Sequence, residues 1–351
     1  MDISNAAHNL LGLKLKSGWN VIEKIAKDKN STGSFFSVAY KVEKDNEICF
    51  LKAFDFAKFF NPDFPGRSIV DYMKEMIDAF KYEKDISNLC KNNGLSKVAV
   101  VKEAGEEEVL GFTIPVVPYL IFDMADGDVR KLIKFNNELD YAWKLKSLHD
   151  IAVGVRQLHN IDISHQDIKP SNILLFGENS KIGDLGRAVA KIMDAPHKKL
   201  PFSGDFTYAP PEILYGYYEP DWTKRVRSID SYLLGSMVVF YFSGISMSAL
   251  LSNQIPINLR WDKFRGAFDE VKLYLIEAFF NALNQFTETL QDDLLKSELT
   301  IIVEQLCYPL PERRGHPKDI KSIGSNYNLE RYISRFELLH KKFLYQLTKK
   351  K

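Results

Sequence analysis

HQDIKPSNILLF, residues 165–176, is the stretch on which the reading of the whole chain turns. Asp167 is followed two positions on by Lys169 and five positions on by Asn172, and an apolar run closes the stretch. Two readings fit these residues by themselves. One is a phosphoryl-transfer site, in which a carboxylate orients a hydroxyl and an amide oxygen helps to hold a cation. The other is the polar end of a helix. Gln166, lodged between the histidine and the acid, belongs obviously to neither.

Working outward, DYAWKLKSLHDIAVGVRQLHN (140–160) carries a strong apolar face at helical spacing and leads directly into the motif. The first third of the chain has another texture. GWNVIEKIA and SFFSVAYKVE read as paired strands, NEICFLKAFDF as a third, and KVAVVKEAG and PVVPYLIFDM as two more. Between them, SIVDYMKEMIDAFKYEKDISNLCKN spaces Ile69, Tyr72, Met73, Met76, Phe80, Ile86 and Leu89 as a helix does. After Gly127 the pattern turns helical, and beyond residue 212 it stays so. A β-rich part followed by an α-rich part, with the polar cluster just past their junction, predicts an α+β fold of two lobes and a cleft.

The bulk numbers agree with an ordinary globular protein. The chain has 351 residues, 45% hydrophobic and 26% charged, enough for a large core. A net charge of +1 gives no global pull toward nucleic acid or acidic membranes; only the TKKK end is locally basic. Cys49, Cys90 and Cys307 are odd in number and widely separated, without zinc or disulfide spacing, which fits a reducing, cytoplasmic setting. With Asp2 and only the short apolar stretch LLGL near the start, a signal peptide is not expected. From Ser231 to Leu259 no charge occurs, and YLLGSMVVFYFSGISMSALL is long enough to span a membrane; interrupting serines and glycines favour a buried core helix instead. A membrane-tethered form is the alternative.

At this point the chain resembles the eukaryotic-type (Hanks-type) protein kinase family. HQDIKPSN resembles its catalytic loop, H-R-D-x-K-x-x-N; GDLG (183–186) resembles D-F-G; PPE (210–212) resembles A-P-E; and CFLK (49–52) resembles the strand V-A-I-K. The motifs stand in the family's order and the similarity covers roughly residues 19–320. It implies a bilobal protein-kinase-like fold, with a β-rich N-lobe at 19–123, a helical C-lobe at 124–325, an N-terminal extension at 1–18 and a C-terminal helix with basic tail at 326–351. The compact, non-secreted design also suits a bacterial origin.

The resemblance also implies roles. Asp167 would accept or orient the hydroxyl proton, and Lys169 would stabilise charge on the transferred group. Asn172 and Asp184 would ligate Mg2+, and Lys52 would hold the ATP phosphates while a helix glutamate positions it. That glutamate is Glu83, with Glu75 the alternative two turns earlier. Gly33 and Val38 would belong to the phosphate loop and its following strand. Backbone groups around Asp123 and Met124 would bond adenine, behind the guard residue Phe122. Asp128 would take a ribose hydroxyl, and Leu174 would form the adenine floor. Asp230 resembles the aspartate that anchors the catalytic loop, and Arg314 the arginine that pairs with the PPE glutamate, Glu212.

Departures from the pattern matter as much. Gln166 replaces the arginine that meets a phosphorylated loop in many kinases, which makes this a non-RD variant whose site does not depend on that switch. Ser31 and Phe36 stand at two of the three loop-glycine positions and only Gly33 remains. Phe50 stands where alanine usually roofs the adenine. Asp205 falls where serine/threonine kinases carry a threonine bonded to the catalytic aspartate. Ser203, Thr207 and Tyr208 are candidate autophosphorylation sites.

The sequence therefore predicts an ATP- and Mg2+-dependent serine/threonine protein kinase acting on a protein of unknown identity, without nucleic-acid or membrane partners. Two alternatives stand beside it: a pseudokinase scaffold, and a small-molecule kinase of the aminoglycoside-phosphotransferase type, which shares the HxDxxxxN spacing. After the core, SNYNLERYISRFELLHKKFLYQLTKKK reads as an amphipathic helix with Leu329, Tyr332, Ile333, Phe336, Leu339 and Phe343 on one face.

Overall fold

The computed structural model describes residues 5–26, 37–56, 68–135, 140–322 and 326–349. The chain divides into two compact units, Met1–Asp126 and Gly127–Lys351. Gly33, together with Ser31 and Phe36, lies outside the described residues.

The first unit is built on strands β1 (Asn20–Lys24), β2 (Ser37–Lys44) and β3 (Glu47–Phe54), helix α1 (Ile69–Asn92), and strands β4 (Glu103–Glu108) and β5 (Val116–Asp123). They form one antiparallel sheet in the order β1-β2-β3-β5-β4. Both faces are covered. Val38, Tyr40, Val42, Cys49, Leu51 and Ala53 face Leu10, Leu15 and Trp19 of the N-terminal segment, and the Tyr40 hydroxyl donates to the Ala7 carbonyl at 2.8 Å. On the other face Phe54 and Leu120 pack with Met76 and Phe80 of α1. Ser68 caps α1 by accepting from the Val70 N–H.

KVAVVKEAG is only partly a strand, because β4 begins at Glu103. The apolar residues ahead of it, Val98, Ala99 and Val101, are buried, and the Val101 N–H is met by the Ser87 hydroxyl of α1 at 2.6 Å rather than by a neighbouring strand. Burial against a helix leaves the same apolar signature as burial in a sheet, so the pattern ran ahead of the strand.

The second unit opens with the short β6 (Gly127–Asp128) and α2 (Val129–Phe135), then α3 (Tyr141–Asn160). Its helical texture is interrupted by small strands that the sequence did not announce: β7 (Ile163–Ser164), β8 (Ile173–Phe176), β9 (Asn179–Ile182) and β10 (Val189–Ala190). ILLF, closing the opening motif, is therefore a strand, and the polar stretch before it is a loop rather than a helix end. Next come α4 (Pro211–Leu214), α5 (Trp222–Ser243), α6 (Met247–Gln254), α7 (Phe268–Thr289), α8 (Asp293–Cys307), α9 (Pro317–Ile320) and α10 (Glu330–Lys349).

The uncharged segment 231–259 is not one rod. Gly244, at φ 77°, ends α5 in the left-handed conformation that glycine adopts freely, and α6 departs at 85°. No single helix among the described residues is long and apolar enough to cross a membrane. Ile229, Tyr232, Leu233, Leu234, Met237 and Val238 of α5 are buried in the unit's core. The amphipathic face of α10 joins the same core: Tyr332, Ile333, Phe336, Leu339 and Phe343 are buried, as is Leu329 ahead of it, and α10 packs along α3.

Candidate active site

In the first unit, Lys52 Nζ lies 2.8 and 2.9 Å from the two carboxylate oxygens of Glu83. Glu83 stands 31 residues beyond Lys52, on a helix that begins at Ile69 and runs for 24 residues. Glu75 is exposed on the same helix, whereas Glu83 is buried. The ammonium also sits 5.6 Å over the Phe54 ring.

The ladder corrects one assignment. Residues directly opposite in an antiparallel pair share a face, and neighbours along a strand alternate. Val38 is opposite Ala53, so its side chain lies on the face away from Lys52, buried against the N-terminal segment. The β2 residue on the lysine's face is Ala39, opposite Lys52. Along β2 the alternation itself separates the faces, with Val38, Tyr40 and Val42 buried and Ala39, Lys41 and Glu43 only partly so; it is the family resemblance instead that places Val38 at the phosphate site. Phe50 shares the face of Lys52, two positions along β3, and its ring stands 6.4 Å from that of Phe122, its partner across the ladder. Asp123 ends β5 opposite Cys49, with its exposed carboxylate 3.7 Å from Lys102 Nζ, and Met124 follows. Glu47, Cys49 and Asp123 are close enough together to hold an ion, but Lys102 already pairs with Glu47 there, and burial raises the Cys49 thiol pKa.

In the second unit the motif residues converge. Lys169 Nζ is 3.1 Å from Asp167 Oδ2 and 3.3 Å from Asp205 Oδ2. Asn172 Nδ2 donates to the Asp167 carbonyl (2.8 Å) and to Asp167 Oδ2 (3.0 Å). The amide nitrogen is thereby engaged and Oδ1 is left as the atom that can face a cation. The Asp205 N–H donates to Asp167 Oδ1 at 2.9 Å. Asp128 and Leu174 are opposite one another in β6 and β8; Asp128 accepts from the Lys131 N–H, and Leu174 packs so closely on Gly183 that a Cβ there would come within 2.7 Å of its Cδ1. Asp184 follows with φ 59°, a left-handed conformation uncommon outside glycine. His165 Nε2 donates to the Gly183 carbonyl at 2.9 Å, which ties this turn to the loop that carries Asp167.

A fully buried carboxylate supports the loop from behind. Asp230, in α5, accepts from the backbone N–H groups of His165 (2.9 Å) and Gln166 (2.8 Å) and from His159 Nε2 (2.9 Å). Burial alone would raise its pKa, but His159, Ser164 and these N–H groups outweigh it and hold the carboxyl below its usual value. Gln166 is buried, at φ 64°, and its amide donates to Ser164 Oγ and to the Val226 carbonyl at the start of α5. Its neutral side chain is thus spent on anchoring the loop. Neither His159 nor Ser164 stood out in the sequence, because each acts through a residue distant along the chain.

The charges at the site are strongly coupled. Burial raises the pKa of Asp167, Asp184 raises it further, and Lys169 and His165 only partly offset this. For Lys169 burial is outweighed by Asp167 and Asp205, which push its pKa up. For Asp205 burial is outweighed by Thr207 and Lys169, which pull its carboxyl below the usual range. Two carboxylates, Asp167 and Asp184, near enough to repel, beside an amide oxygen, are a hard-oxygen set that suits a divalent cation such as Mg2+.

Glu212 and Arg314 form a bidentate pair, Nη1–Oε1 2.7 Å and Nη2–Oε2 2.9 Å, sealed inside the unit.

Residues 98–322 match the family model described as the protein kinase domain, so the chain belongs to the protein kinase family. It is 38% identical over 129 residues to a protein named probable cyclin-dependent kinase 8 from Dictyostelium discoideum, covering 33% of this chain and 32% of that one. It is 29% identical over 200 residues to the serine/threonine-protein kinase chk-1 of Caenorhabditis elegans, covering 56% and 36%. It is 28% identical over 197 residues to the receptor protein-tyrosine kinase CEPR2 of Arabidopsis thaliana, covering 53% and 18%. The chain matches about a third or less of the length of these curated relatives. The family generally uses ATP and Mg2+.

Proposed function

We propose that the chain is an ATP- and Mg2+-dependent protein kinase that transfers a phosphoryl group to serine or threonine on a protein. The arrangement of Asp167, Lys169 and Asn172 carries this reading. A carboxylate is held by an amide donor on one side and a backbone N–H on the other, with an ammonium 3.1 Å away. In this role Asp167 orients the acceptor hydroxyl and takes up its proton, while Lys169 meets charge on the transferred group. Asn172 Oδ1 and Asp184 hold the cation, which neutralises phosphate charge when bound. Lys52, steadied by Glu83, binds phosphate oxygens. Asp123, Met124, Asp128 and Leu174 serve the nucleoside end, and Gly33 the phosphate loop. Lysine at 169 and the named relatives of the cyclin-dependent and chk-1 types support the serine/threonine assignment.

In the same reading, residues 19–123 are the N-lobe and 124–325 the C-lobe, with α10 as a C-terminal brace; the protein works in the cytoplasm. With Gln166 buried against α5, the catalytic loop is of the non-RD kind, without a guanidinium for an activation-loop phosphate.

The pseudokinase is the second reading, favoured by one observation: Phe50 lies on the face of the sheet that bears Lys52. Labelled ATP, Mg2+ and a generic protein acceptor, run beside Asp167→Asn, decide between them. Label on the chain or the acceptor, lost in the variant and recovered as phosphoserine or phosphothreonine, is the expected result. Nucleotide binding without transfer would overturn the kinase reading in favour of the scaffold.

A further inference from the structure

Asp205 puts a carboxylate beside the reacting groups where the family resemblance leads one to expect a hydroxyl, and the surrounding loop aims it with care. The Ser203 hydroxyl donates to the Arg187 carbonyl at 2.7 Å. Gly204 passes so close to the Gln166 carbonyl oxygen that a Cβ would come within 2.1 Å of it. The Asp205 N–H then reaches Asp167 Oδ1 at 2.9 Å. With its backbone fixed in this way, the Asp205 side chain is oriented by Thr207, whose N–H (3.0 Å) and hydroxyl (2.7 Å) both donate to Oδ1. Oδ2 is left pointing at Lys169 Nζ, 3.3 Å away.

We propose that Asp205 is a built-in brake on phosphoryl transfer: its carboxylate holds the Lys169 ammonium in the ground state, and the ammonium must give up that contact to meet the transferred group. The inference rests on the reading of this site as a phosphotransferase. Only interactions that strengthen on the way to the transition state speed a reaction. The Asp205–Lys169 attraction runs the other way, since it is complete before the phosphoryl group moves and weakens as Lys169 turns toward it. A carboxylate this close also repels the charged oxygens of that group. A hydroxyl in its place would accept from Lys169 and donate to Asp167 without either penalty. Lys169, shared between Asp167 and Asp205, is thus held by one more negative charge than transfer requires.

The test compares full-length wild type with Asp205→Thr and the near-isosteric Asp205→Asn. Steady-state transfer from ATP to a generic protein acceptor should show kcat rising about tenfold in Asp205→Thr, which corresponds to about 1.4 kcal/mol of barrier. The acceptor KM should stay unchanged. A merely structural role would lower kcat instead. Calorimetry supplies a readout that needs no turnover: a non-hydrolysable ATP analogue should tighten relative to ADP in both variants, because only the analogue carries the terminal charged oxygens that the Asp205 carboxylate repels. A folded Asp205→Thr or Asp205→Asn with unchanged or lower kcat, or with an unchanged analogue-to-ADP ratio, overturns the proposal. If wild type and variants bind nucleotide but transfer nothing, the kinase reading falls, and the affinity ratio still decides whether Asp205 repels the terminal phosphate.

Discussion

Replacing Arg314 by methionine is the sharpest probe of what holds the second unit together. Its guanidinium is fully buried and donates to both oxygens of Glu212, to the Ser228 carbonyl at 2.9 Å and twice to the Tyr308 carbonyl at 3.1 and 3.0 Å. It also stacks 5.1 Å over the Tyr232 ring. Methionine fills much of the volume but leaves the Glu212 carboxylate alone in a site 3% exposed. Removing one partner of a buried pair destabilises by about 3–5 kcal/mol, because the remaining charge loses its compensation. For a unit of this size each kcal/mol lowers the melting temperature by about 2–4 °C, so the expected fall is roughly 6–20 °C. The double variant Arg314→Met/Glu212→Leu removes the orphaned charge and should recover about half of that loss, with the carbonyls of Ser228 and Tyr308 still lacking their donor. Differential scanning fluorimetry on the two variants checks both steps. A shift below about 2 °C in the single variant, or a double variant as unstable as the single, refutes the account of the pair.

Two further outcomes follow from the same structure. Asp167→Asn should abolish transfer and yet raise the melting temperature of the nucleotide-free protein at neutral pH. Since burial lifts the folded-state pKa of Asp167 above its unfolded value, its ionisation disfavours the folded state; that penalty grows as pH rises from about 4 toward the raised pKa and persists above it. The gain in the variant should therefore vanish in melts below about pH 4, and equal gains at all pH values would contradict the assignment. In α10, Phe336 is fully buried and Phe336→Ala should destabilise by about 3–5 kcal/mol in urea unfolding. Leu338→Ala, at a position 48% exposed, should stay within about 0.5 kcal/mol; comparable losses at the two positions would mean that α10 does not pack as described.

What could be read from the residues divides along a physical line. Motif identity and helical period are local, so the polar set Asp167, Lys169, Asn172 and Asp184 and the buried face of α10 were legible without a structure. The ambiguity between Glu83 and Glu75 was not, because both lie on one helix and only its seating over the sheet decides which meets Lys52. Val38 was misjudged because its role came from motif alignment: its alternation with Ala39, Lys41 and Glu43 already sets it on the buried face, and the ladder shows that this face is the one away from Lys52. The strand written into KVAVVKEAG began late because helix packing and sheet packing bury the same residue types.

By itself, then, the sequence determined the chemical groups, their order, and the change from sheet to helix near Gly127. These depend on covalent neighbours and on repeat periods of two and 3.6 residues. Only the tertiary structure decided that Gln166 anchors to α5, that His159 and Ser164 join Asp230 behind the catalytic loop, and that Asp205 reaches Lys169. Those contacts join segments 36 to 71 positions apart, and no local propensity encodes which distant partner a buried polar group will find.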